Sequence, residues 1–96
     1  MTIASAITLT HHASRSDQVM VQELDGEAVL LDLASEAYFG LNHVGARIWQ
    51  LIENAPALSE VLRVLCEEYD APPASIEQDL LTLMAALSEA GLVRLA

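Results

Sequence analysis

The chain has no lysine. Four arginines stand against 14 carboxylates in 96 residues, a formal net charge of −10. Phosphate binding depends on cations that release counterions, so this balance argues against nucleic acid as a partner. It argues equally against an anionic membrane surface. There is one cysteine, so no intramolecular disulfide framework exists, which fits a reducing cytoplasm. No apolar run is long enough to span a bilayer. The opening residues "MTIASAITLT" lack the basic region and long apolar stretch of a secretory signal. Aromatic residues are few, and three of them, Tyr38, Phe39 and Trp49, fall within "AYFGLNHVGARIWQ" (Ala37–Gln50), together with two of the four glycines.

What is present is apolar: 53% of the residues are hydrophobic, enough for a folded chain, and the length suits one domain with a modest core. Residues 1–17 end in the polar "THHASRSD" and read as an arm or edge strand, with Ile7 and Leu9 spaced for a short strand. Residues 18–96 read as the domain. "QVMVQEL" (Gln18–Leu24) alternates, and "DG" at Asp25-Gly26 is a strong hairpin signal. "EAVLLDL" (Glu27–Leu33) returns as a second strand. "ASE" makes a turn without glycine or asparagine, and "AYFGLN" (Ala37–Asn42) is the third strand. Alternation puts Phe39 and Leu41 inward and Tyr38 and Gly40 on the other face.

Helical spacing then takes over. Asn42 suits an N-cap, and Val44, Ile48, Leu51 and Ile52 form a stripe with Trp49 beside it. Gly45 costs this helix about 1 kcal/mol relative to alanine, which implies close packing against it. Ser59 reads as the cap of a second helix with Val61, Leu62, Leu65, Cys66 and Tyr69 on its stripe. After "DAPPA", Ser75 and Gln78 match a capping box for a third helix. Its apolar positions, Ile76, Leu80, Leu81, Leu83, Met84, Leu87 and Ala90, cover more than one face; Gly91 stops it. The order β-β-β-α-α-α predicts an α+β fold, a three-stranded antiparallel sheet followed by three helices in a winged-helix-like arrangement.

Chemistry is scarce. His11 and His12 are adjacent and, on a strand, point to opposite faces. His43 and Cys66 have no partners at metal-ligand spacing, and Cys66 reads as a small core hydrophobe. No nucleophile motif or phosphate loop occurs. No catalytic residue, metal or cofactor is expected. What remains is surface for a polypeptide. A three-stranded sheet has two edges with unpaired main-chain groups, and an extended peptide can add to one. The third helix has apolar positions beyond one core stripe; Leu80, Leu83, Met84 and Leu87 suit core and groove alike.

"DGEAVLLDL", "YFGLN", "VGARIW" and "LCEEYDAPPASIEQDLLTLMAALSEAGLV", in that order and spacing, resemble the PqqD-like family from about Val19 to Val93. These are recognition domains for precursor peptides that are made on the ribosome and then modified. The resemblance implies binding without catalysis. The leader segment of a precursor peptide would add to the third strand (Ala37, Tyr38, Phe39, Gly40, Leu41). The groove wall would be drawn from Ile76, Asp79, Leu80, Leu83, Met84 and Leu87. The domain would then present the peptide to a modifying enzyme: a leader peptidase, cyclase or radical enzyme. Glu36 stands where many relatives have glycine. "YFGLNHVGARIW" is more similar to the generic branch, which includes companions of lasso-peptide leader peptidases, than to members dedicated to pyrroloquinoline quinone. A winged-helix DNA-binding or transcription protein and a homodimerisation module are the alternatives.

Overall fold

The computed structural model describes residues 7–96. In chain order they form β1 (Ala13–Arg15), β2 (Val19–Leu24), β3 (Glu27–Asp32), β4 (Tyr38–Leu41), α1 (His43–Leu51), α2 (Leu58–Glu68), α3 (Pro73–Glu89) and β5 (Val93–Leu95). The expected meander is the antiparallel sheet β2-β3-β4, followed by three helices. The fold is α+β and winged-helix-like. The β2–β3 hairpin turns on Asp25 and Gly26, at φ 55° and 83°. Two positive φ values in a two-residue loop match the twist of the flanking strands. A Cβ on Gly26 would fall 2.6 Å from Cδ2 of His43, so this turn also packs against the start of α1. In the second turn Glu36 sits at φ 65°, a left-handed position held by the chain around it. The Glu36 N–H donates to the Asp32 carbonyl at 2.7 Å. The Asp32 carboxylate accepts from the Ala34 N–H and the Ser35 hydroxyl, at 3.1 and 2.9 Å.

The inner face of the sheet is set by its period of two. Ala28, Leu30 and Leu41 are buried and Phe39 is half-buried. They meet Ile48, Trp49 and Ile52 from the first helical segment, Leu58, Val61 and Leu65 from α2, and Ile76, Leu80, Met84 and Leu87 from α3 in one core. The buried face of α1 is centred nearer Trp49 than expected, because Ala46 is buried while Val44 and Leu51 are only half-covered. Asn42 caps α1 as its type predicts, its Oδ1 accepting from the Gly45 N–H at 2.9 Å. The cost of Gly45 has a reason: a Cβ there would lie 3.2 Å from Cδ2 and 3.3 Å from Cβ of Leu41. Its absence lets α1 close onto β4. Cys66 is half-buried and packs against the core.

Four expectations are corrected. Ile7 and Leu9 form no strand; both pack half-buried against the core. Ser59 is not the cap of α2. The helix starts at Leu58, two residues earlier than that cap implies, and its first N–H groups are satisfied from outside it: Leu58 donates to the His11 carbonyl and Ser59 to the Leu9 carbonyl, each at 2.9 Å. Ser75 and Gln78 form no capping box, because α3 begins at Pro73. A proline there has its φ preset and no N–H to orphan. Ala90 is the exposed C-cap of α3 and not part of its apolar face. Beyond it Gly91, at φ 79°, lets the Leu92 N–H reach back to the Leu87 carbonyl at 2.9 Å, a helix end that favours glycine. The segment read as an arm or edge strand carries β1 and is tied to the rest of the chain. β1 pairs antiparallel with β5, and Ala13 is fully buried. The first six residues of the segment read for a signal lie outside the described residues.

Candidate functional site

β4 pairs with β3 on one side and has no strand partner on the other among the described residues. The Asp32 N–H donates to the Ala37 carbonyl at 2.8 Å, and the Leu33 N–H to the Gln18 carbonyl at 2.7 Å. Bonded and non-bonded pairs alternate along an antiparallel ladder. Ala37 opposite Asp32 is therefore a bonded pair, and the register continues through Leu31↔Tyr38, Leu30↔Phe39, Val29↔Gly40 and Ala28↔Leu41. The backbone groups of Phe39 and Leu41 turn to β3. Those of Tyr38 and Gly40 turn outward, unpaired by any strand.

Beside this edge lies a groove of about 380 Å³. One wall comes from the end of β4 and the start of α1, with Gly40, Leu41, Asn42, Val44, Gly45 and Ile48. The other wall is one face of α3, with Asp79, Thr82, Leu83 and Ala86 at helical spacing. Leu41, Val44, Ile48, Leu83 and Ala86 make it largely apolar. Asp79 is its one charged lining residue and makes no ion pair among the described residues.

Of the residues expected at a peptide site, Gly40, Leu41, Asp79 and Leu83 share this groove. Tyr38 and Phe39 belong to the strand that borders it, and Ala37 leads into that strand with its carbonyl engaged by Asp32. Ile76, Leu80, Met84 and Leu87 do not line it; they are 7%, 0%, 0% and 0% exposed. They form the core-facing stripe of α3 and are not among the residues that line the groove. Sequence reasoning missed Thr82 and Ala86 on the helix and Asn42, Val44, Gly45 and Ile48 on the facing wall. The available signal was the neighbouring stripe at 79, 82, 83 and 86, whose small and polar members do not stand out in a search for apolar residues.

Three of the four arginines are engaged elsewhere. Arg47 donates from Nε and a terminal nitrogen to both oxygens of Glu68, at 2.8 and 2.6 Å, joining α1 to α2. That hydrogen bond holds the Glu68 carboxyl below the usual carboxylate range. Arg63 pairs with Glu60 and Glu67 along α2. The Arg15 guanidinium lies 5.2 Å from the centre of the Trp49 ring. No group of three or more potential ligands is placed to hold a metal ion among the described residues. No helix of the described residues is long and apolar enough to cross a membrane.

These features define a class: small winged-helix-like domains in which the free edge of a strand faces a helix across an apolar groove. The chain belongs to the PqqD family; the family described as "Coenzyme PQQ synthesis protein D (PqqD)" matches residues 27–93. A curated relative, the bifunctional coenzyme PQQ synthesis protein C/D of Methylorubrum extorquens, is 31% identical over 75 residues, 78% of this chain. The match covers 20% of that protein, so the chain spans about a fifth of its length. Two solved structures are similar over most of both chains. "TbiB1 in Complex with the TbiA(beta) Leader Peptide" shares 37% identity at a TM-score of 0.78, covering 84% of this chain and 94% of that one. "Lasso peptide synthetase B1 complexed with the leader peptide" shares 28% identity at a TM-score of 0.76, covering 86% and 98%.

Proposed function

We propose that this protein is a non-catalytic module that binds the leader segment of a ribosomally made precursor peptide and presents the peptide to a modifying enzyme. The observation that carries this reading is the pair of outward-facing backbone units, Tyr38 and Gly40, bordering an apolar groove. An extended leader adds beside β4 as a further strand. Its main chain bonds to Tyr38 and Gly40, each hydrogen bond contributing about 0.5–1.5 kcal/mol net. Its side chains on one face enter the groove between Leu41, Val44 and Ile48 and the Leu83 side of α3. Affinity then comes from the main chain and specificity from the groove.

The relatives support the reading in two ways. Both similar solved structures are complexes with leader peptides, and one is a lasso peptide synthetase component. This favours a lasso-type precursor over a quinone precursor. In the bifunctional relative the matching segment is a fifth of a longer chain, an arrangement suited to a recognition unit working beside a modifying unit. Modification of a freshly made ribosomal peptide is cytoplasmic work, and we assign the protein there. Leader peptidase, cyclase and radical enzyme are the candidate enzyme partners.

Amide hydrogen exchange tests the proposal. A synthetic leader from the precursor gene neighbouring this chain's gene is titrated by calorimetry, and exchange is followed residue by residue. In the free protein the amides of Tyr38 and Gly40 exchange quickly while those of Phe39 and Leu41 are protected. Leader binding slows Tyr38 and Gly40. Gly40→Pro removes an outward donor without touching the β3 ladder, and it weakens leader binding by about tenfold or more. A leader that binds with both amides still exchanging quickly sinks the strand-addition reading.

A further inference from the structure

The outer face of the β2-β3-β4 sheet is unusually apolar for a surface left exposed by the described residues. By register, Met20, Leu31 and Tyr38 form one row across the three strands, and Gln22, Val29 and Gly40 form the next. Met20 is 57% exposed, Leu24 72%, Val29 44% and Tyr38 78%. Toward the hairpin end of the face a hollow of about 510 Å³ opens, lined in part by Leu24, Val29 and Gly40. Nothing lies within 4 Å of where a Gly40 side chain would begin. Contiguous exposed apolar surface of this kind marks a site of association.

Charge says what kind of surface covers it. The 31 residues from Ser16 to Ala46, which include the whole sheet, hold six carboxylates and no arginine or lysine. Asp25 and Glu27 stand at the hairpin end, and Asp32 and Glu36 at the β3–β4 turn. A second copy would bring the same ring of carboxylates against this one, and like-charge juxtaposition is costly. A partner with an apolar centre ringed by lysine and arginine meets both features. We propose that this face docks such a partner, and that the partner is the peptide-modifying enzyme, a step that rests on the leader-binding reading above. The placement suits that task. Tyr38 and Gly40 give their side-chain positions to this face and their main-chain groups to the β4 edge. An enzyme seated on the face therefore lies directly beside a peptide held at the edge.

The test uses each modifying enzyme encoded beside this chain's gene, purified separately, with immobilised full-length protein. One of them binds, and raising salt from about 50 to about 300 mM weakens binding about threefold or more, because rim charges are screened. The double variant Met20→Ser/Leu24→Ser, shown folded by circular dichroism, loses about tenfold or more of that affinity. Its affinity for the synthetic leader stays within about twofold. Glu27→Lys weakens enzyme binding through the rim alone. Three results overturn the proposal: no enzyme binds with leader present, the double variant binds the enzyme unchanged, or sedimentation shows a wild-type dimer that the double variant dissolves. In the last case the face is a homodimer seam. Failure of the leader itself to bind the wild type strikes the leader-binding reading instead, and calorimetry reports that separately.

Discussion

At one end of the molecule, β1 and β5 bind the first and last parts of the described chain together. The His12 N–H donates to the Ala96 carbonyl at 2.7 Å and the Ala96 N–H returns to the His12 carbonyl at 2.9 Å. The Ser16 N–H closes onto the Leu92 carbonyl at 3.0 Å, and Leu9 and His11 cap α2. At the other end, the main-chain groups of Tyr38 and Gly40 face away from β3 with no strand partner among the described residues, and the outer face leaves Met20, Leu24 and Tyr38 in water. The first region spends its hydrogen-bonding groups on the fold; the second keeps them available. Changes at the clasped end should therefore appear as stability. Changes at the open end should appear as binding with the fold intact.

The sharpest form of this contrast lies within α3. Leu80 is fully buried, while Leu83, three residues on, lines the groove. Leu80→Ala leaves a cavity and is expected to cost about 2–5 kcal/mol, read from urea unfolding followed by Trp49 fluorescence. Leu83→Asp places a charge in the groove and is expected to weaken leader binding by about tenfold or more while costing little stability. If Leu83→Asp unfolds the protein as Leu80→Ala does, the two stripes of the helix do not divide the work.

The clasp gives the next effect. Removing residues 1–12 deletes the two carbonyls that satisfy the first N–H groups of α2. Lost helix caps cost about 0.5–2 kcal/mol, and the packing of Ile7 and Leu9 and the His12–Ala96 bonds go with them, so unfolding should shift by more than the caps alone. The amides of Leu58 and Ser59 should lose their exchange protection. Leader affinity should be unaffected at the open end, and a parallel loss of leader binding would show the two ends to be coupled.

How much of this was legible follows from which physical effects act locally. Asp25-Gly26, Asn42 and Gly91 act within four or five residues, and their turn, cap and stop all appear where their chemistry puts them. Phe39 and Leu41 turn inward because the strand period is two. Ser59 and Ser75 misled because a better solution came from elsewhere. Distant carbonyls of Leu9 and His11 cap α2, and Pro73 opens α3 with no side-chain cap. β1 and β5 are three residues each and pair across nearly the whole chain, which no local pattern reports. In the candidate site, the strand was readable and the helix wall only in part, at Asp79 and Leu83. Leu80 and Leu83 are the same residue type, and what separates them is the rotation of α3 against the sheet. Asp79 was placed by family resemblance, whereas Thr82 and Ala86 carry no signal until the helix is packed.

The smallest effect belongs to Arg47 and Glu68, which link α1 to α2 and do not line the groove. The two side chains are each about a third exposed, so solvent screens the pair and its worth is small. Its pH dependence nevertheless has a definite sign. The hydrogen bond from Arg47 lowers the folded Glu68 carboxyl below its ordinary value of 4.5, so the unfolded chain takes up that proton more readily than the folded one. The pair's contribution is therefore complete above the ordinary carboxylate value. It is lost as the pH falls through the lowered, folded value. Arg47→Gln should melt slightly below wild type at neutral pH, and the difference should close in acid once Glu68 is protonated. Leader affinity should not change. A deficit that persists in acid would mean that the arginine stem, packed between the helices, stabilises more than its charge does.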